Sequence, residues 1–263
     1  MQDFHFKKKY GQNFLRDSRV VERIVDSSNI INDTLVIEVG PGKGILTKEL
    51  SKKAKAVLCY EIDNELESYL VSLSNELKNV DIIFDDFLKR DIKKDIQSYE
   101  YKHIYFISNV PYYITTPILM KLMDADLNIE KVVMMVQEEV GERFSAVPGK
   151  KAYSSLTVYL NYYYDIKRLF KVSRNEFIPI PNVDSEVVMF TLKDNREFIK
   201  NYDLFFRLVR DSFKFKRKTI KNNLKNYNLQ IIDQVLKQNG FSLSSRAEQV
   251  PVSVYVQLSN ALS

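Results

Sequence analysis

The sequence predicts a doubly wound α/β domain followed by a small all-helical one, and three observations carry that expectation. Five short apolar runs, "TLVIEVG" (34–40), "KAVLCYEID" (55–63), "VDIIFDD" (80–86), "HIYFISNVP" (103–111) and "KVVMMVQ" (131–137), lack apolar–polar alternation. Runs of that kind suit strands buried on both faces of a parallel sheet. The segments between them, such as "DNELESYLVSLSNEL" (63–77), carry apolar residues at helical spacing, and strand–helix alternation at this pitch is the mark of a doubly wound sheet. Beyond about residue 193 the strand-like runs stop, and helical stretches with short Asn, Ser and Gly breaks take over. The expected division is 1–192 and 193–263.

Composition narrows the classes. The chain has 263 residues, 45% of them apolar, enough for one large domain and a small one. It carries 39 basic and 34 acidic side chains, net +5, so an anionic partner is implied only if the excess is clustered. A single cysteine, Cys59, excludes an intrachain disulfide and suits a reducing compartment. The two histidines, His5 and His103, are too far apart for a Cys/His zinc site, so no metal is expected. No apolar run reaches the ~18 residues of a membrane span, and the N-terminus has no apolar core of a signal peptide. A soluble, cytoplasmic, monomeric protein is the expectation.

The first strand ends in "VIEVGPGKG", which sets Glu38, Gly40, Gly42 and Gly44 just ahead of a helix. Glycines there let the backbone turn tightly and approach a ligand. Glu61 follows at the end of the second strand, where a carboxylate suits a ribose diol because it accepts from both hydroxyls. A dinucleotide dehydrogenase would space its glycines as G-x-G-x-x-G, and a phosphate-binding P-loop would place Ser or Thr after the lysine. The pattern G-P-G-K-G fits neither and suits a nucleoside without a pyrophosphate, namely S-adenosylmethionine. At the end of the third strand Asp86, better placed than Asp85, is a candidate acceptor for an adenine amine, though paired Asp residues there also serve as solvated turns or helix caps.

The fourth strand ends in "ISNVPYYITTPIL" (107–119), at the point of such a sheet where ligands bind. An exocyclic base amine is a poor nucleophile because its lone pair is delocalised into the ring. The Asn109 side-chain oxygen and the Val110 carbonyl, accepting from its two N–H groups, would localise that pair towards a methyl donor. Pro111 stiffens the turn without adding a competing N–H, and Tyr112 offers a face for an extruded base. Cys59 lies within a strand and no Pro-Cys pair exists, which excludes a cytosine-C5 methyltransferase with its cysteine nucleophile; Cys59 reads as a small core residue.

Two later runs close the sheet: 156–172, a helix feeding a strand, and "DSEVVMFTL" (184–192), with the proline-stiffened "FIPIPNVDS" (177–185) between them. The Tyr-rich "YLNYYYD" (159–165) reads as packing and sheet edge. N-V-P-Y resembles the N-[Ile/Leu/Val]-P-Y signature of RNA adenine-N6 dimethyltransferases. "KKKYGQNFL" (7–15) is similar to that family's opening segment, and "FIPIPNVDS" resembles its F-x-P-x-P-x-V-x-S loop. Within the family, "QEEVGERFSAVPGKKAYSSLTV" (137–158) and "SRAEQVPVSVYVQLSNAL" (245–262) resemble the KsgA-type small-subunit enzymes more than the Erm-type enzymes of large-subunit rRNA. The resemblance covers the chain from about residue 7 onwards.

That resemblance implies a class I S-adenosylmethionine-dependent methyltransferase fold, Rossmann-like and seven-stranded, with a small all-α C-terminal domain. It implies dimethylation of N6 on two adjacent adenosines in the 3′-terminal hairpin of small-subunit (16S-type) rRNA, in ribosome biogenesis. Donor contacts carry over to Asn13, Leu15, Gly40, Gly42, Glu61, Asp86 and Asn109, and Phe177 is expected to stack on the adenine opposite Tyr112. Tyr113 stands where many relatives have a second Asn and Thr115 where they have Ser, next to the pocket. The competing readings are an Erm-type enzyme, a DNA adenine methyltransferase, which usually shows two consecutive prolines, and a non-catalytic RNA-binding assembly factor.

Across 203–226, eight basic residues face only Asp203 and Asp211, a local +6 that exceeds the whole chain's +5. Arg207, Arg210, Lys214, Arg217 and Lys221 step by three or four, as on one face of a helix, with Phe205, Val209, Phe213, Ile220 and Leu224 along another. A solvated helix face is the plain alternative. Beside base-modifying motifs, the cluster points to RNA phosphates. Lys7, Lys8 and Lys9 form a second, weaker candidate.

Overall fold

The computed structural model describes residues 14–125 and 127–263; Lys7–Lys9 and Asn13 lie outside the described residues. The chain divides into two compact units, one comprising residues up to Gly141 together with Lys167–Leu192, the other Glu142–Ile166 together with Lys193–Ser263.

The first unit opens with β1 (Phe14–Leu15) and α1 (Ser18–Ser28), whose N-cap Asp17 accepts from the Arg19 N–H at 2.8 Å. Then come β2 (Thr34–Val39), α2 (Ile45–Ser51), β3 (Ala56–Glu61), α3 (Glu67–Leu77), β4 (Val80–Phe84), α4 (Ile92–Ile96), β5 (His103–Ser108), α5 (Thr115–Asp124) and β6 (Ile129–Gln137). After α6 (Glu138–Phe144) and α7 (Ser155–Tyr163), the chain returns through β7 (Tyr164–Val172), the short β8 (Phe177–Ile178) and β9 (Ser185–Leu192). The order of the seven-stranded sheet is β4-β3-β2-β5-β6-β9-β7, and β1 pairs separately with β8. Neighbours from β4 to β6 are parallel, and β9 runs antiparallel to β6.

Burial explains why these strands carry no alternation. All six residues of β2 are buried, as are five of six in β3 and β5, because both faces of the central strands are covered. The outer strand β4 keeps only Val80 buried. Val36, Val57, Tyr105, Ile107, Val133 and Val187 belong to one core cluster.

The second unit adds α8 (Tyr202–Ser212), α9 (Ile220–Asn223), α10 (Leu229–Gln238) and α11 (Val252–Leu262). Its core includes Leu208, Val209, Ile220, Leu224, Leu236, Tyr255 and Leu258, all fully buried. Two sequence expectations are corrected here. Residues 142–166, expected in the first domain, group with the second unit: the Tyr159 ring of α7 packs on Phe205 and Phe206 of α8, and its hydroxyl donates to the Phe206 carbonyl at 2.8 Å. The aromatic run thus serves packing.

The basic stretch 203–226 is also not one helix. α8 ends at Ser212, and α9 begins only at Ile220. The side-chain amide of Asn223 intercepts the end of α8, donating to the carbonyls of Ser212 (2.7 Å) and Phe215 (3.3 Å) and accepting from the Phe215 N–H at 3.2 Å. Those groups would otherwise continue the helical ladder.

Candidate active site

The strand order reverses between β2 and β5, which leave in opposite directions from the sheet centre. Ligands bind beyond the C-terminal ends of strands at such a point. There the first unit holds a cavity of about 330 Å³, within the size range of small-molecule sites. It is lined by the three predicted strand-end motifs together: Glu38 near the end of β2 with Gly40 and Gly42 after it, Glu61 at the end of β3 with Asp85 and Asp86 after β4, and Asn109, Val110, Pro111 and Tyr112 after β5.

Each motif is shaped for close approach. Gly40 and Gly44 have φ of +72° and +66°, a left-handed backbone that favours glycine. A Cβ on Gly44 would also come within 2.2 Å of Leu73 Cδ2. The Glu61 carboxylate is held by backbone donors, accepting from the Gly42 N–H at 3.2 Å and the Asp63 N–H at 2.9 Å. Each of its oxygens keeps further acceptor capacity for a ligand hydroxyl. Burial pushes the Glu61 carboxyl above its usual range, and those backbone donors offset part of the rise. Asp86 caps the 3₁₀ turn 87–89, accepting from the Leu88 N–H at 3.0 Å, and it also lines the cavity.

Two hydroxyls that the sequence reading passed over fix the site. Ser108, the last residue of β5, accepts from the Val39 N–H at 3.2 Å and donates to the Val39 carbonyl at 2.6 Å. It bridges β2 to β5 where the backbone pairing ends. Ser185, fully buried at the start of β9, lies 2.6 Å from the Tyr112 hydroxyl. The bond anchors the ring of the N-V-P-Y motif to the last residue of the F-I-P-I-P-N-V-D-S loop. Burial raises the Tyr112 phenol above its ordinary value.

Glu38 is the other residue not assigned beforehand. It is fully buried, accepts from Thr47 Oγ1 at 2.7 Å and has Cys59 Sγ at 3.5 Å. Burial raises its carboxyl to about 7. Cys59 is itself a core residue whose thiol is pushed up by burial. Ile62 and Leu88, apolar yet 48% and 37% exposed, also line the cavity, each just after or near one of the acids.

The expectation for Phe177 is corrected. Phe177 lies in β8 opposite Leu15 and is completely buried in the core with Leu15, Val172 and Val187, so no face of its ring is open to a base. Leu15 does line the cavity, whereas Asn13 lies outside the described residues. Tyr113, the departure from the family pattern, lines the cavity and is 62% exposed; Thr115 is buried. Among the described residues, no group of three or more His, Cys, Asp or Glu is placed to hold a metal ion, and no helix is long and apolar enough to cross a membrane.

The cavity brings together carboxylates able to accept from hydroxyls and an amine and residues with neutral acceptor oxygens, Asn109 and Val110. Comparison with known proteins points the same way. Residues 3–263 match the family described as ribosomal RNA adenine dimethylase. A Macrococcus caseolyticus protein named ribosomal RNA small subunit methyltransferase A is 44% identical over 98% of this chain and 90% of its own length. A Bacillus pumilus protein of the same name is 39% identical over 98% and 92%. Among solved structures, the 23S rRNA methyltransferase ErmE superposes with a TM-score of 0.73 at 25% identity, covering 95% of this chain and 99% of that one. A dimethyladenosine transferase from Plasmodium falciparum gives 0.77 at 24% identity over 93% and 95%, a likeness of fold. With its seven-stranded sheet, its strand-end motifs and relatives matched over nearly their whole length, this chain belongs to the ribosomal RNA adenine dimethylase family of methyltransferases.

Proposed function

We propose that the protein uses S-adenosylmethionine to dimethylate N6 of two adjacent adenosines in the 3′-terminal hairpin of small-subunit rRNA, in the cytoplasm and as part of ribosome assembly. The observation that carries this reading is the meeting of the glycine turn, Glu61, Asp86 and Asn109–Tyr112 in one cavity. The small-subunit substrate follows the names of the relatives at 39–44% identity.

The cavity's chemistry fits the donor. Glu61, already oriented by two backbone N–H groups, would accept from the ribose hydroxyls, and Asp86 from the adenine amine, with Ile62 and Leu88 supplying apolar walls. Gly40 and Gly42 keep side chains out of the donor's path. Leu15 closes the apolar side. When bound, the donor supplies an electrophilic methyl on a sulfonium.

The remaining work falls to the β5 strand end. The Asn109 side-chain oxygen and the Val110 carbonyl accept from the two N–H groups of the target amine, which turns its lone pair towards the methyl. Pro111, with φ −54° and ψ 135°, holds the backbone extended at that step without an N–H of its own. Tyr112, tethered through Ser185, presents its ring for stacking. The methylated amine is acidic enough to lose its extra proton to water, so no dedicated base is needed.

The test offers labelled methyl donor with undermethylated small ribosomal subunits, large subunits and duplex DNA in parallel. Label is expected in small-subunit rRNA as dimethyladenosine. Label in large subunits alone would support an Erm-type activity, and RNA binding without label would support an assembly factor.

A further inference from the structure

Phe215 is an aromatic ring presented to solvent on a pinned backbone in cationic surroundings. It is 57% exposed. Its peptide groups are nevertheless fixed: its N–H donates to Asn223 Oδ1 at 3.2 Å, and its carbonyl accepts from Asn223 Nδ2 at 3.3 Å and from the Lys218 N–H at 2.8 Å. Lys214, Lys216, Arg217 and Lys218 around it are all exposed, and Lys214 Nζ lies 5.7 Å from the ring centroid.

We propose that the turn 213–219 is a binding subsite for an unpaired RNA nucleobase, with Phe215 stacking on the base and the flanking cations holding its phosphates. The inference rests on the reading of the chain as an rRNA methyltransferase and adds a contact that the strand-end site does not supply. A single exposed apolar residue is ordinary on a protein surface. Here the backbone is fixed by three hydrogen bonds, so little freedom is lost when the ring is covered. The partner of the ring must also tolerate a ring of positive charge, which disfavours a basic or purely apolar protein surface. A nucleotide offers a flat π face and an anion within one residue's reach of each other. A continuous duplex hides its base faces in the stack, so the fit is to an unpaired base.

The experiment compares an RNA hairpin with an unpaired purine loop against a blunt duplex of the same length, at several salt concentrations. Phe215→Ala is expected to weaken hairpin binding about 5- to 150-fold, the range for one base–aromatic stack, with the salt slope and duplex affinity unchanged. Lys214→Gln and Arg217→Gln are expected instead to flatten the log–log salt slope by about 0.7 to 0.9 each. The chain contains no tryptophan, so Phe215→Trp gives a single reporter that the hairpin should quench and the duplex should not. Wild-type-like hairpin affinity for Phe215→Ala, or an unquenched Trp at saturating hairpin, would overturn the subsite. If wild-type enzyme still methylates small subunits in that case, the enzymatic reading stands without it; no methyl transfer and no RNA binding would remove both.

Discussion

Glu38→Gln tests the electrostatics of the cavity floor. Glu38 is fully buried, and its carboxyl is raised from the ordinary 4.5 to about 7 by the loss of water around it. The folded chain therefore binds a proton that the unfolded chain has already released between those two values. A group raised in this way contributes stability that is complete below 4.5 and is lost as pH rises through about 7. At about 1.36 kcal/mol for each pH unit between the two values, the loss approaches about 3 kcal/mol above pH 8. The amide keeps the shape and still accepts from Thr47, yet it does not titrate. Urea unfolding of wild type and variant, followed by circular dichroism from pH 5 to pH 8, gives a difference in stability at each pH. That difference should move in favour of Glu38→Gln by up to about 3 kcal/mol across the range. A constant offset has no bearing, because the new amide N–H group near Cys59 shifts both ends alike. Glu61, also raised by burial and repelled by Glu38, remains in both proteins and largely cancels. A difference that stays flat from pH 5 to pH 8 would refute the reasoning and place a charged Glu38 in the fold at all these values.

The other expectations concern the strand ends. Asn109→Ala should keep most donor binding in calorimetry while methyl transfer falls at least ~10²-fold, as for a lost transition-state hydrogen bond; near-normal turnover would remove Asn109 from the reaction. Glu61→Ala should weaken donor binding by roughly 1.5–3 kcal/mol, the cost of lost hydrogen bonds to a charged group, and unchanged affinity would put the ribose elsewhere. Ser185→Ala should lower kcat about 3- to 10-fold through a freed Tyr112 ring, with donor affinity unchanged. Tyr112→Phe should cost the same amount, and the double variant no more than either; additive losses would show that the two hydroxyls act separately.

Much of this was legible in the sequence, and the reasons are local. Central strands buried on both faces must be apolar throughout, so β2, β3 and β5 announce themselves without alternation. The turn chemistry of G-P-G-K-G and N-V-P-Y is written in consecutive residues. What was not legible depends on partners distant in sequence. Helical periodicity says that α7 has a buried face but not which unit buries it, and here Phe205 and Phe206 do. The basic spacing runs on through 213–219 with no Gly or Pro to mark a break. The helix ends there because the Asn223 side chain reaches back to Ser212 and Phe215. Phe177 carries the right motif, yet its pairing with Leu15 turns the ring into the core. Ser108 and Ser185 look like ordinary strand-end serines until the fold brings Val39 and Tyr112 to them.

The charge inventory of the cavity gives a reason for an amide at position 109. Glu38, Glu61, Asp85 and Asp86 already line it, and burial has raised the first two. A further carboxylate at the end of β5 would face the same desolvation and the same negative neighbours, and both favour its protonated form. A protonated carboxyl presents a donor where the target amine needs an acceptor. The Asn109 amide cannot titrate, so in the proposed reaction its oxygen would remain an acceptor at every pH at which the chain is folded. The Val110 carbonyl has the same property and adds no charge. On the proposed function, the four acids would serve hydroxyls and a cation, while the N–H hydrogens of a neutral base would be taken by the neutral oxygens of Asn109 and Val110.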